Sequence, residues 1–123
     1  MAHLIDLKTF TDSRGNLTVI EDTEIPFNIK RIFFIYGVDS SKRAAHRHKT
    51  TIQALYCIQG SCEVYNNNGT KEETFILNHP NQCLILMPED WHEIYNFSPD
   101  SILQVLASKN FDPEDYIFRK YDN

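Results

Sequence analysis

Apolar and polar positions change along this chain at short, strand-like intervals. Runs rich in Ile, Val, Phe, Tyr and Thr occupy Leu17 to Glu21, Ile29 to Tyr36, Ile52 to Ile58, Ser61 to Tyr65, Glu73 to Leu77, Cys83 to Met87, His92 to Phe97 and Ile102 to Ala107. Between them lie groups of residues that tolerate tight bends: Asp12-Ser13-Arg14-Gly15, Gln59-Gly60, Asn66-Asn67-Asn68-Gly69, His79-Pro80-Asn81 and Ser98-Pro99-Asp100. That rhythm predicts an all-β sandwich or barrel, with the plainest hairpin around Asn68-Gly69. Only the C-terminal end reads as helical, over a turn or two. Asp112 is placed to cap, Pro113 suits the first helical position, and Glu114 and Asp115 favour the positive end of the helix dipole.

The 123 residues match one domain, residues 1–123, with no internal repeat or linker. A composition of 41% hydrophobic and 24% charged residues is that of an ordinary packed protein. The formal charge of -5 is spread without a basic run, which argues against nucleic-acid binding. No apolar stretch approaches the roughly 20 residues needed to cross a bilayer, and Asp6 and Lys8 interrupt any leader-like start, so a cytoplasmic protein is expected. Cys57, Cys62 and Cys83 form no CxxC pair and are read as reduced core residues.

His46-Arg47-His48 is the first feature that packing alone does not explain. Residues two apart on a strand share one face, about 6.6 Å along the chain, so both imidazoles can enter one cavity while Arg47 faces away. The spacing His46-x-His48-x4-Gln53-x6-Gly60 resembles the first motif of the cupin superfamily, in which a glutamate usually stands where this chain has Gln53. The stretch Pro88-Glu89-Asp90-Trp91-His92-x3-Asn96 resembles the second cupin motif, with Asp90 at the usual glycine and one residue fewer before the histidine. A neutral amide is a poorer ligand than a carboxylate for a divalent cation, so the substitution weakens a metal reading. His3 and His79 lack such a context and are read as surface residues.

Nearly the whole length resembles the WxcM-like sugar 3,4-ketoisomerases within the cupins. The marks are Asp12-Ser13-Arg14-Gly15-Asn16-Leu17, Ile25-Pro26-Phe27-Asn28-Ile29-Lys30-Arg31, His46-Arg47-His48-Lys49, Gly60-Ser61-Cys62, Trp91-His92-Glu93 and Val105-Leu106-Ala107-Ser108. Arg47 departs from the small residue usual between the histidines. The resemblance implies a cupin fold, a double-stranded β-helix or jelly-roll-like antiparallel barrel. It also implies conversion of dTDP-4-keto-6-deoxyglucose to a dTDP-3-keto-6-deoxyhexose without metal or cofactor, for deoxysugar and surface-glycan synthesis.

The residues suit such a proton transfer, because imidazoles of near-neutral pKa serve both halves of an acid/base cycle. His46 and His48 are the candidate acid/base pair, with either able to take the C3 proton. Gln53 and His92 are expected to hydrogen-bond the sugar, Arg14 and Arg31 to bind the pyrophosphate, and Tyr36 and Trp91 to stack on thymine or close the sugar pocket. The resemblance further implies a homodimer with exchanged N-terminal strands. Two other readings use the same residues: a metal-dependent cupin enzyme with His46, His48 and His92 as ligands, and a cupin that binds a sugar nucleotide without turning it over.

Overall fold

Strand-forming side chains and closely spaced turns produce an almost entirely extended chain. The computed structural model describes residues 1–123. Its strands are β1 (His3–Asp6), β2 (Thr9–Asp12), β3 (Gly15–Thr18), β4 (Arg31–Tyr36), β5 (Arg43–His48), β6 (Gln53–Gln59), β7 (Cys62–Asn67), β8 (Glu72–Leu77), β9 (Gln82–Leu86), β10 (Trp91–Tyr95), β11 (Ile102–Ala107) and β12 (Tyr116–Ile117). They form two five-stranded sheets, β1-β9-β6-β11-β4 and β12-β5-β10-β7-β8, plus the separate hairpin β2-β3. Every pairing is antiparallel, as expected.

The centre of the first sheet, β9, β6 and β11, is buried on both faces, which explains its unbroken apolar runs. Leu55, Cys57, Leu84, Leu86, Leu103 and Val105 point inward to meet Cys62, Val64, Leu77 and Ile94 of the second sheet. Ala54, Tyr56, Cys83, Ile85 and Leu106 point the other way and are covered by Leu7 and Ile25, with Ile20 and Phe27 alongside. Removing one of these side chains, as in Leu103→Ala, costs about 2–5 kcal/mol. At the edge of that sheet, β4 alternates instead: Arg31, Phe33 and Ile35 are half-buried, whereas Ile32, Phe34 and Tyr36 are exposed.

Strand boundaries differ from the sequence expectation where side chains carry little pattern. β3 begins at Gly15 and ends at Thr18, earlier than Leu17 to Glu21. β1, β2 and β12 escaped the sequence reading because they are short, and β2 is exposed throughout. The C-terminal turn is present as a 3-10 turn at Pro113–Asp115, with the Asp112 carboxylate accepting from the Glu114 N–H.

Gly60, between β6 and β7, has φ +74°, and an added Cβ would clash with Ser98 Oγ and lie 2.9 Å from the Ser101 Cα. The second contact is backbone and cannot swing away. Gly60→Ala is therefore expected to cost about 2 kcal/mol or more and to lower the melting temperature by about 5 °C or more. Circular dichroism melts check this, and an unchanged melting temperature would contradict the close approach.

Candidate active site

Antiparallel pairing of β5 with β10 sets His46 directly opposite His92. The two-residue period of β5 adds His48 to the same face. Ring centroids of His46 lie 4.9 Å from His48 and 4.8 Å from His92, and His48 and His92 are 6.2 Å apart. The pairing slips by one residue next to this group, where Ala44 and Ala45 adopt φ 70° and 63°. That is a β-bulge, which re-aims the strand as it enters the site. Left-handed backbone costs roughly 1–2 kcal/mol at a residue other than glycine, so the bulge is strain stored beside His46.

Hydrogen bonds fix the protonation of two of the rings. His48 Nδ1 lies 3.0 Å from Asp115 Oδ2, and His92 Nδ1 lies 3.1 Å from the Asp90 carbonyl oxygen. Neither oxygen carries a proton to give, so each Nδ1–H donates and each Nε2 keeps a lone pair. Burial would raise the Asp115 pKa, but donors from Thr51, Thr50 and His48 outweigh it and hold the carboxyl well below its usual range. Burial pushes all three imidazoles down: His92 to about 3, His46 to about 4 with help from neighbouring His48, and His48 also down despite the opposing pull of Asp115. At neutral pH the group is three uncharged imidazoles. His48 Nε2 is buried and has no hydrogen-bond partner, a costly state for a polar atom unless a ligand supplies the partner.

A cavity of about 300 Å3 opens onto this group. His46, His92, Gln53 and Tyr116 line it, with Phe33, Leu55 and Val105 as apolar wall and Arg31 and Arg43 also lining it. This is the small end of ligand-site volumes. It suits a sugar ring, with the remainder of a nucleotide sugar outside. Ion-paired arginines in the chain are Arg14 and Arg119. Arg31 and Arg43 have no carboxylate partner and remain available to an anion.

Of the residues expected in the pocket, His46, His92, Gln53 and Arg31 line it, and His48 packs against His46 and His92 without lining the cavity itself. The structure separates three others. Tyr36 is 67% exposed on the outer face of β4, since its odd separation from Arg31 turns it away. Trp91 precedes His92, faces the opposite side of β10 and donates from Nε1 to Glu93. Arg14 sits at the tip of the β2-β3 hairpin, paired with Asp12 beside Phe10 and Leu17, in a different groove of this chain. Arg43, Tyr116 and Asp115 are the additions. Arg43 was legible, being close before His46; Asp115 lies 67 positions from His48 and left no local signal.

The three histidines could together reach one cation, each offering one ring nitrogen, with all of these atoms within 4.8 Å of one another. Two nitrogens bound at about 2.1 Å sit about 3.4 Å apart on a tetrahedral ion, so the rings would have to close up around it. The position usual for a cupin glutamate holds the Gln53 amide.

Depressed imidazole pKa values couple stability to pH. Unfolded, His46 and His92 protonate near 6.5; folded, only near 4 and 3. Between those limits the unfolded chain binds more protons, so stability falls as pH drops from about 6.5 toward 4. Thermal melts at pH 7.0, 5.5 and 4.5 are expected to show falling midpoints, with a flatter dependence in the His46→Asn/His92→Asn double variant. Equal slopes in both proteins would contradict the buried, neutral assignment.

Comparison with known proteins gives one consistent result. The family model described as FdtA: WxcM-like, C-terminal matches residues 1–123. A TDP-4-oxo-6-deoxy-alpha-D-glucose-3,4-oxoisomerase of Aneurinibacillus thermoaerophilus is 41% identical over 122 residues, covering 98% of this chain and 87% of the relative. The 3,4-ketoisomerase QdtA of Thermoanaerobacterium thermosaccharolyticum, solved in complex with TDP, superposes with a TM-score of 0.92 at 38% identity, covering 96% of this chain and 88% of that one. The TDP-quinovose 3,4-ketoisomerase WlaRB of Campylobacter jejuni gives 0.91 at 37% identity, covering 96% and 92%. Likeness in sequence and in fold thus extends over nearly the whole chain, and the protein belongs to the FdtA, WxcM-like C-terminal family.

Proposed function

We propose that this protein is a sugar-nucleotide 3,4-ketoisomerase acting on TDP-4-keto-6-deoxyglucose. The observation that carries the reading is the cluster of neutral imidazoles at the wall of a sugar-sized cavity lined also by two arginines without carboxylate partners. Family membership names the same chemistry in relatives.

The reaction moves a carbonyl from C4 to C3. The C3–H bond breaks, its electron pair forms the C3–C4 double bond, and the C4 oxygen gains charge and then a proton. The resulting enediol loses the proton on the C3 oxygen and gains one at C4. Such a step needs a base within about 3 Å of the acidic carbon and donors for the oxygen. His46 and His48 serve as the acid/base pair, His46 at the cavity wall and His48 directly behind it with Nε2 buried and unpartnered, and either can take the C3 proton. His92 presents the Nε2 lone pair to a sugar hydroxyl, and Gln53 supplies an amide donor. Arg31 and Arg43 receive the pyrophosphate.

The working unit in this reading is one domain per chain, paired as a homodimer. Phe10 and Leu17 on the isolated β2-β3 hairpin, and Ile32, Phe34 and Tyr36 on the edge strand β4, are all more than half exposed. A two-stranded hairpin is marginal alone, so exchange onto a partner supplies the cover it lacks. Arg14 then meets substrate in the partner's cavity, if anywhere. A cytoplasmic location accords with the three free, buried cysteines, and no helix is long and apolar enough to cross a membrane.

Proton NMR of TDP-4-keto-6-deoxyglucose with the enzyme in deuterated water is expected to show label entering the ring and a 3-keto product. His46→Asn and His48→Asn should each cut turnover by about 10²–10⁴-fold. Unchanged turnover in both would leave only a binding role, and loss of wild-type activity to a chelator would favour metal chemistry instead. Light scattering should give twice the mass of one chain, with Phe34→Asp shifting it toward monomer; a monomeric wild type would contradict the pairing.

A further inference from the structure

We propose that Asp115 is a positioning residue that holds His48 with its proton on Nδ1 and its lone pair on Nε2. The proposal deepens the ketoisomerase reading, on which only its kinetic arm depends.

Asp115 does not line the cavity; it stands behind His48, which itself packs behind the cavity-lining His46. Its oxygens are filled by four donors: His48 Nδ1 at 3.0 Å, Thr51 Oγ1 at 2.5 Å, and the Thr50 N–H and hydroxyl at 2.8 Å each. Its own backbone is held as well, the carbonyl accepting from Lys49 N–H and the N–H donating to the Asp112 carbonyl. Nothing is left with which to bind substrate. A carboxylate so placed can only accept from the imidazole, and so selects the tautomer that free histidine in water disfavours. When Nε2 takes a proton in the cycle, Nδ1 keeps its own, and the resulting imidazolium rests against a charge already in place. Asp115 stays ionised throughout.

The chain's last segment carries this carboxylate to the site. β12 pairs with β5 as Tyr116 against His48 and Ile117 against Arg47. Arg47, facing away from the cavity, donates from Nε to the Arg119 carbonyl and from Nη1 to the Tyr121 hydroxyl, and its guanidinium stands 4.2 Å over the Tyr121 ring. The large residue between the two histidines is thereby explained: it clamps the segment that delivers Asp115. The groups facing His48 are Asp115, the neutral rings of His46 and His92, Tyr116 at 4.7 Å, and Arg31 at longer range.

The test combines 15N-NMR of histidine-labelled protein with kinetics. The wild type should show His48 protonated at Nδ1 and bare at Nε2, a readout that needs no substrate. In Asp115→Asn the Nε2–H form should appear, kcat fall about 10²-fold with KM held within about threefold, and the acid limb of kcat/KM move to lower pH. Thr51→Val removes a competing donor from the same oxygen and should move that limb to higher pH. Nε2 protonation in the wild type, or limbs unmoved in both variants, overturns the proposal. Should Asp115→Asn not fold, the wild-type tautomer and Thr51→Val decide. If no TDP-sugar is turned over at all, the functional reading fails while the tautomer still judges the role of Asp115.

Discussion

Strand register is the constraint on which this site rests. His46 and His48 face the interior because β5 pairs with β10 in the one alignment that sets His46 against His92. A slip of a single residue would turn both rings outward and bring Arg47 into the apolar cavity. The register is pinned from two sides, by the bulge at Ala44 and Ala45 and by the β12 pairing that sets Tyr116 opposite His48. The site is therefore built on strands, and the tail is part of its frame.

Burial then sets the chemistry. Three rings packed together beside a cavity with apolar walls stay uncharged, because burial takes away the water a charged ring would need, and neighbouring imidazoles within about 5 Å add to the effect at His46 and His92. Neutral imidazoles accept protons, and the anchored Nδ1–H of His48 and His92 leaves both Nε2 atoms free to do so. Rigidity comes from the centre of the first sheet, buried on both faces, which supplies the apolar wall from Leu55 and Val105.

Much of this was legible from residue order. A period of two placed His46 and His48 together, and the cupin-like spacing brought in Gln53 and His92. The same parity argument, applied to all candidates, would have placed two aromatics away from this cavity of the chain: Arg31 and Tyr36 lie five positions apart on one strand, and Trp91 adjoins His92, so neither pair shares a face. Arg14 is a different case: it sits on a hairpin that joins neither large sheet, paired with Asp12 and away from the cavity. Asp115 was beyond sequence reasoning because its role arises from a contact across 67 residues, made from a single 3-10 turn beside a strand of only two residues.

Everything at this site follows from imidazoles held uncharged in a place poor in water, and a pH titration that follows each ring's 15N or C2-proton shift is the decisive measurement. His46 and His92 are expected to remain neutral until pH falls to about 4 and 3. Midpoints near 6.5 for both would mean rings open to solvent and would contradict a buried, neutral cluster.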